Sequence, residues 1–206
     1  MNFYTGIVSI QAFHKIFEIL WPYVLQATYW RGVAHLKVVS TKVRRHFKPN
    51  VLRKLSHKNE FLLTLMRLCL GILNEDLADP FGISQTICSN TFKTWIRVMS
   101  MTLGNALVNW IPKESVMDHM PDMFKRQGYG KVRCIFDCAE VFIECSKSLE
   151  MQAVTWSEYK HYNTFKFLIG ISPTRYITFL SHCYGGKQGK FIVNDSCFYD
   201  KLDYGD

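Results

Sequence analysis

Hydrophobic and polar positions change period twice along the chain. Ile10, Phe13, Ile16, Phe17, Leu20 and Trp21 recur at steps of three and four. That period predicts an amphipathic helix opened by Ser9 and ended or kinked at Pro22. The same period returns from Asn59, where Phe61, Leu62, Leu65, Met66, Cys69 and Leu70 share a face that Gly71 can terminate. Asn74 can cap a short helix over Glu75 to Phe81, and Gly82 supplies a turn. Ser84 can then cap a longer helix that runs through Trp95 toward Leu107. From Lys131 the period shortens. KVRCIFDCAEVFIE, FKFLIGIS (Phe165 to Ser172) and YITFLSHCY (Tyr176 to Tyr184) read as three strands, the last two an antiparallel pair around Pro173, Thr174 and Arg175. Phe191, Ile192, Asp195, Phe198, Tyr199 and Leu202 suggest a final helix ending near Gly205.

These elements predict an α+β chain in four parts: an N-terminal helix and arm over 1–58, a helical region over 59–111, a connector over 112–130 and a β-rich region over 131–206. Pro112, Pro121, Gly128 and Gly130 mark the connector. Helix, short helix, glycine turn and longer helix is the layout of a helix-turn-helix, whose last helix enters the major groove of DNA. Its core side would carry Cys88, Phe92, Trp95 and Met99. Its groove side would offer Gln85, Thr86, Ser89, Asn90 and Lys93. Helical hairpins without DNA share this layout, so a plain packing unit is the other reading. Three strands followed by one helix would suit the first half of a ribonuclease-H-like α/β domain, although that order is not unique to it.

Charge adds a partner. The 206 residues carry a formal net charge of +8. Nine Lys and Arg, and no Asp or Glu, fall between Ile19 and Asn59. Arg44, Arg45, Arg53 and Lys54 therefore belong to a local basic arm suited to a polyanion, or to a solvated linker. Seven Cys without a CxxC pair read as reduced thiols, with a zinc site using His161 or His182 as the alternative. Apolar residues make up 48% of the chain, which excludes wholesale disorder. Lys15, Glu18 and Pro22 interrupt Ile7 to Tyr29 too often for a membrane span, so an intracellular protein is expected.

Asp137 lies in the middle of the first strand. Burial on both faces would account for that strand's composition. A buried carboxylate needs a cation: an Arg or Lys, with Arg133 and Lys166 as candidates, or a divalent metal.

On these residues the chain resembles a Harbinger-related transposase of the DDE superfamily with its attached helix-turn-helix. The blocks are Tyr4-Thr5-Gly6, Tyr29-Trp30-Arg31-Gly32, LGILNEDLADPFGISQ, FDCAEVFIE, TWSEYKHYNTFKFLIGISP and DKLDYGD. The resemblance implies a ribonuclease-H-like domain that cuts and joins double-stranded DNA with two divalent metals, Mg²⁺ or Mn²⁺. Asp137 matches the family's first catalytic acid and metal ligand. Lys160 and Lys166 match another block and could meet phosphates. Tyr159 and Asn163, in that block, suit a structural role as well. Glu140 falls on the other side of the strand from Asp137 and is given no catalytic role.

Departures bear on activity. The family's second catalytic Asp follows a Gly-Asp pair, here Gly205-Asp206, and its third acid lies further on. The expectation is a C-terminally truncated, catalytically inactive fragment of a transposase that binds DNA. The alternative is a domesticated DNA-binding protein using the helix-turn-helix and the arm. A gene fragment without function is a third reading. Nuclear location and a possible homo-oligomer accompany the resemblance, with no membrane and no small-molecule substrate. Ile87 and Asn90 stand where polar and basic residues are usual, and Arg175 replaces the usual turn glycine.

Overall fold

The computed structural model describes residues 1–30 and 54–203. Arg44, Arg45 and Arg53 of the basic arm lie outside the described residues, and so does Asp206. The chain divides into two compact units, Met1–Asn105 and Ala106–Asp206.

The first unit is helical. Helix α1 is Asn2–Thr5, and α2 is Ile10–Gln26 with the Ser9 hydroxyl accepting from Ala12 N–H at 3.1 Å. Pro22 sits inside α2 and does not end it. The apolar stripe Phe13, Phe17, Leu20 and Val24 continues past the proline, so packing holds the last turn against the local cost. Helix α3 is His57–Leu70, capped by Ser56 and closed by Gly71 in the left-handed region at φ 66°. Helix α4 is Asn74–Ala78, shorter than expected. Asn74 is its first residue rather than its cap, and Pro80 blocks extension. Gly82, at φ 60°, turns the chain into α5, Gln85–Leu107.

Two apolar clusters hold these helices together. Phe13, Phe17, Phe61 and Trp95 join α2, α3 and α5, with Phe61 and Trp95 stacked at 5.3 Å. Leu63, Leu77, Ala78 and Cys88 join α3, α4 and α5. Inside the first cluster lies a buried acid, Glu60, 1% exposed. Its carboxylate accepts from the Tyr29 hydroxyl and, at 2.9 Å, from Trp95 Nε1. Those charge-assisted bonds compensate its desolvation.

The second unit opens with helix where a connector was expected. Helix α6 is Lys113–Asp118 and α7 is Asp122–Arg126, started by Pro112 and Pro121. Strand β1 is Ile135–Phe142, α8 is Leu149–Thr155, β2 is Trp156–Ser157, β3 is Tyr162–Ile171 and β4 is Ile177–Leu180. Helix α9, Gly189–Asp195, and a 3₁₀ turn, Tyr199–Lys201, replace the single final helix expected. Cys197, at φ 56°, separates them. Helix α8 and the short β2 were not foreseen.

Strand β3 is the centre of an antiparallel sheet. It pairs with β1 on one side and with β4 and β2 on the other. Among the described residues β1 pairs with β3 alone, so it is an edge. Leu168, Ile192, Val193 and Phe198 form the core between the sheet and α9, with Cys138 and Phe179 packed against it. The mixed α+β class agrees with the sequence reading.

Candidate DNA interface and the Asp137 strand

In α5, successive side chains turn by about 100°. Gln85, Thr86, Ser89, Asn90 and Lys93 therefore share one stripe, opposite Cys88, Thr91 and Trp95. Gln85, Thr86 and Lys93 are exposed, and Ser89 and Asn90 are half-buried. Cys88 and Trp95 are fully buried, while Phe92 and Met99 are half-buried. The helix thus presents one polar stripe to solvent and anchors the other side in both clusters. Glu75, Asp76 and Asp79 of α4 and its turn border a hollow that includes Gln85. A phosphate is repelled there, so a polyanion meets this stripe more favourably toward Lys93. Arg97, four residues beyond Lys93, extends the stripe. It was missed from sequence, although the four-residue step was there to find it.

Asp137 corrects one sequence expectation. β1 is covered on one face only, and Asp137 is exposed on the other. Register pairs Asp137 with Ile169, so Ile135, Asp137 and Val141 share a face away from the α9 core. No desolvation forces a cation on this acid. Its Oδ1 accepts from the Cys138 N–H at 2.7 Å. Burial pushes the Cys138 thiol pKa up, and the Asp137 charge pushes it the same way.

Neither basic candidate pairs with Asp137. Arg133 is buried, donates to Asp203 and to the Ile111 carbonyl, and lies 5.0 Å from the Trp110 ring centroid. Lys166 is largely buried on the opposite face and meets Glu140 at 3.6 Å. That pairing draws Lys166 away from the phosphate role suggested for it. Glu140 also accepts from Thr164 Oγ1 at 2.6 Å. Partial burial opposes its ionisation, yet hydrogen bonds from Ser157 and Thr164 and the Lys166 charge hold its carboxyl pKa below the ordinary value. Lys160 is exposed, with Nζ 4.9 Å from the Tyr159 ring centroid. Asn163 is buried and donates to Thr155 Oγ1 and the Gln152 carbonyl, both at 2.9 Å, which fastens α8 to β3. Lys54 is exposed just ahead of α3.

A two-metal centre needs several carboxylates around shared ions. Among the described residues no group of three His, Cys, Asp or Glu is placed to hold a metal. Asp137 alone does not fit that centre. The same observation removes the zinc alternative among these residues, and all seven Cys are free. No helix of the described residues is long and apolar enough to cross a membrane.

Comparison with known proteins adds two matches. Residues 136–206 match the family model of the DDE superfamily endonuclease. Residues 53–104 match the model of the helix-turn-helix of DDE superfamily endonuclease. Searches of curated proteins and of solved structures return no significant match. Together the two family matches, one on each unit, support placement of the chain in a DDE transposase family.

Proposed function

We propose that the chain is a Harbinger-related, transposase-derived protein of the nucleus that binds double-stranded DNA through α3, α4 and α5. The observation that carries this reading is the polar stripe of α5, on the last helix of a matched helix-turn-helix and anchored from behind by Cys88 and Trp95. Gln85, Thr86, Ser89 and Asn90 would read base edges in the major groove, and Lys93 would contact phosphate. The basic arm with Arg44, Arg45, Arg53 and Lys54, and Lys160 in the second unit, would add phosphate contacts. Selection from a random duplex pool, followed by titration at several salt concentrations, tests the reading. A shared motif with steeply salt-dependent affinity supports it. Salt-independent or absent binding overturns it.

We infer that the described residues do not cleave DNA by themselves. Asp137 supplies one carboxylate toward a divalent cation, and one carboxylate gives little affinity or geometry. A nicking assay with Mg²⁺ or Mn²⁺ tests this. Cleavage that disappears in Asp137→Ala would show that the chain completes the site.

A further inference from the structure

We propose that the hollow between the end of α2 and the middle of α5 binds an unpaired DNA nucleotide. The cavity holds about 290 Å³ and is lined by Tyr23, Gln26, Trp30, Arg97, Met101 and Thr102 among others, with no acid. That volume sits at the small end of sites for small ligands. The backbone that carries Trp30 is anchored: the Trp30 backbone N–H donates to Thr94 Oγ1 at 2.9 Å, and the preceding Tyr29 hydroxyl donates to buried Glu60. The Arg97 guanidinium lies 5.5 Å from the Trp30 ring centroid.

The lining selects the ligand by chemistry. Trp30 and Tyr23 offer flat apolar faces for a base, and Val98 and the exposed Met101 complete the apolar lining. Arg97 offers a fork for a phosphate, and Gln26 and Thr102 offer groups that can meet a base edge. A duplex phosphate alone would use Arg97 and leave the apolar depth unfilled. A paired base cannot reach the hollow, so the fitting ligand is a nucleotide out of the stack. Arg97 follows Lys93 by four residues and lies on the same side of α5. A strand leaving a duplex bound at that stripe therefore passes the hollow. The inference rests on the DNA-binding reading for its source of nucleotide.

The test uses the full chain and three labelled probes at one salt concentration: a blunt duplex, the same duplex with a short single-stranded thymidine tail, and the tail strand alone. Anisotropy is expected to give an affinity about tenfold higher for the tailed than for the blunt duplex, the scale of one base–aromatic stack. Trp30→Ala should erase that preference and leave blunt-duplex affinity within about twofold. Met101→Trp should do the same by filling the cavity. Met101 is 74% exposed, so that change leaves the core intact. Equal binding of blunt and tailed duplex overturns the pocket and leaves the duplex reading standing. A preference that survives both variants places the tail elsewhere and overturns it as well. Binding of the tail strand alone, lost in both variants, with no duplex binding, upholds the pocket and removes the duplex reading. No binding of any probe removes both.

Discussion

Lys166 and Glu140 face each other across β3 and β1, with Nζ 3.6 Å from Oε1, on the side of the sheet away from Asp137. The pair pins the register that places Asp137 opposite Ile169. Glu140→Gln should cost about 1–3 kcal/mol, the worth of a hydrogen bond to a charged group. The pH dependence has a definite sign. The folded-state pKa of Glu140 lies below the ordinary 4.5, so its contribution is complete above that value. It is lost as pH falls through the lowered folded value. Urea unfolding of wild type and Glu140→Gln should therefore differ near neutrality and converge in acid. A gap that persists unchanged in strong acid would remove the carboxylate from this account.

Asp137 should behave oppositely. It is exposed and pairs with no cation among the described residues, so Asp137→Asn should shift stability by no more than about 0.5 kcal/mol. Thermal melts of the two proteins check this. A large loss would mean that the acid serves the fold.

Lys93 and its neighbours on α5 should separate affinity from specificity. Lys93→Ala should weaken binding to all duplexes alike and reduce the salt slope by about one. Asn90→Ala should relax preference at one or two base positions at a cost of about 1–3 kcal/mol there. Comparing each variant on selected and scrambled duplexes distinguishes the two. Identical effects on both would deny Asn90 a reading role.

Glu60 should be the most sensitive position of the first unit. Glu60→Ala leaves a void and removes the carboxylate that accepts from the Tyr29 hydroxyl and from buried Trp95 Nε1, for about 2–5 kcal/mol. Glu60→Gln keeps the shape and one acceptor and should cost less. Urea denaturation followed by tryptophan emission resolves the order, and equal losses would show that the carboxylate's charge, not its shape, holds the cluster.

Two glycines predict opposite outcomes. A Cβ on Gly186 would sit 2.1 Å from the Trp156 carbonyl oxygen, where backbone crosses backbone. Gly186→Ala should destabilise the second unit by about 1–3 kcal/mol or more. Gly104 lies within α5 with nothing within 4 Å of its would-be Cβ, so Gly104→Ala should stabilise by about 0.5–1 kcal/mol. Melting temperatures moving in the same direction would contradict this.

The helical part was readable because its determinants are local. Ser9 and Gly71 do what caps do, and Phe13, Phe17, Leu20, Phe61, Leu65, Cys88 and Trp95 of the expected faces are buried. Ile10, Trp21 and Cys69 of those faces are exposed, while the fully buried Leu63 and Thr64 of α3 were passed over, as was the Ser56 cap. Pro22 misled because the packing of Val24 lies beyond it in the chain and outweighs the local cost. Pro112 and Pro121 were read as breakers, yet proline is tolerated at a helix start, and each opens a short helix. Ser148 opens α8 with its hydroxyl accepting from Met151 N–H at 3.5 Å, a signal present in the sequence and passed over. The Asp137 strand was harder. A run that is apolar at nearly every position does not say which face is covered. That depends on α9, which packs on one side only. For the candidate site, the stripe of α5 followed from helical spacing. The diversion of Lys166 to Glu140 followed from cross-strand register, which no local pattern displays.

The isolation of Asp137 has an electrostatic consequence. Arg133 and Lys166, the basic side chains weighed as its partners, are both held by other acids, so the potential over that face stays negative where the carboxylate stands. A phosphate brought within 4 Å of it is repelled by about 1 kcal/mol in water, and by several times that once solvent is squeezed out. DNA laid on this face would therefore carry its counter-ions with it. Multivalent cations should tighten such a contact, where at the Lys93 stripe they weaken it by competition.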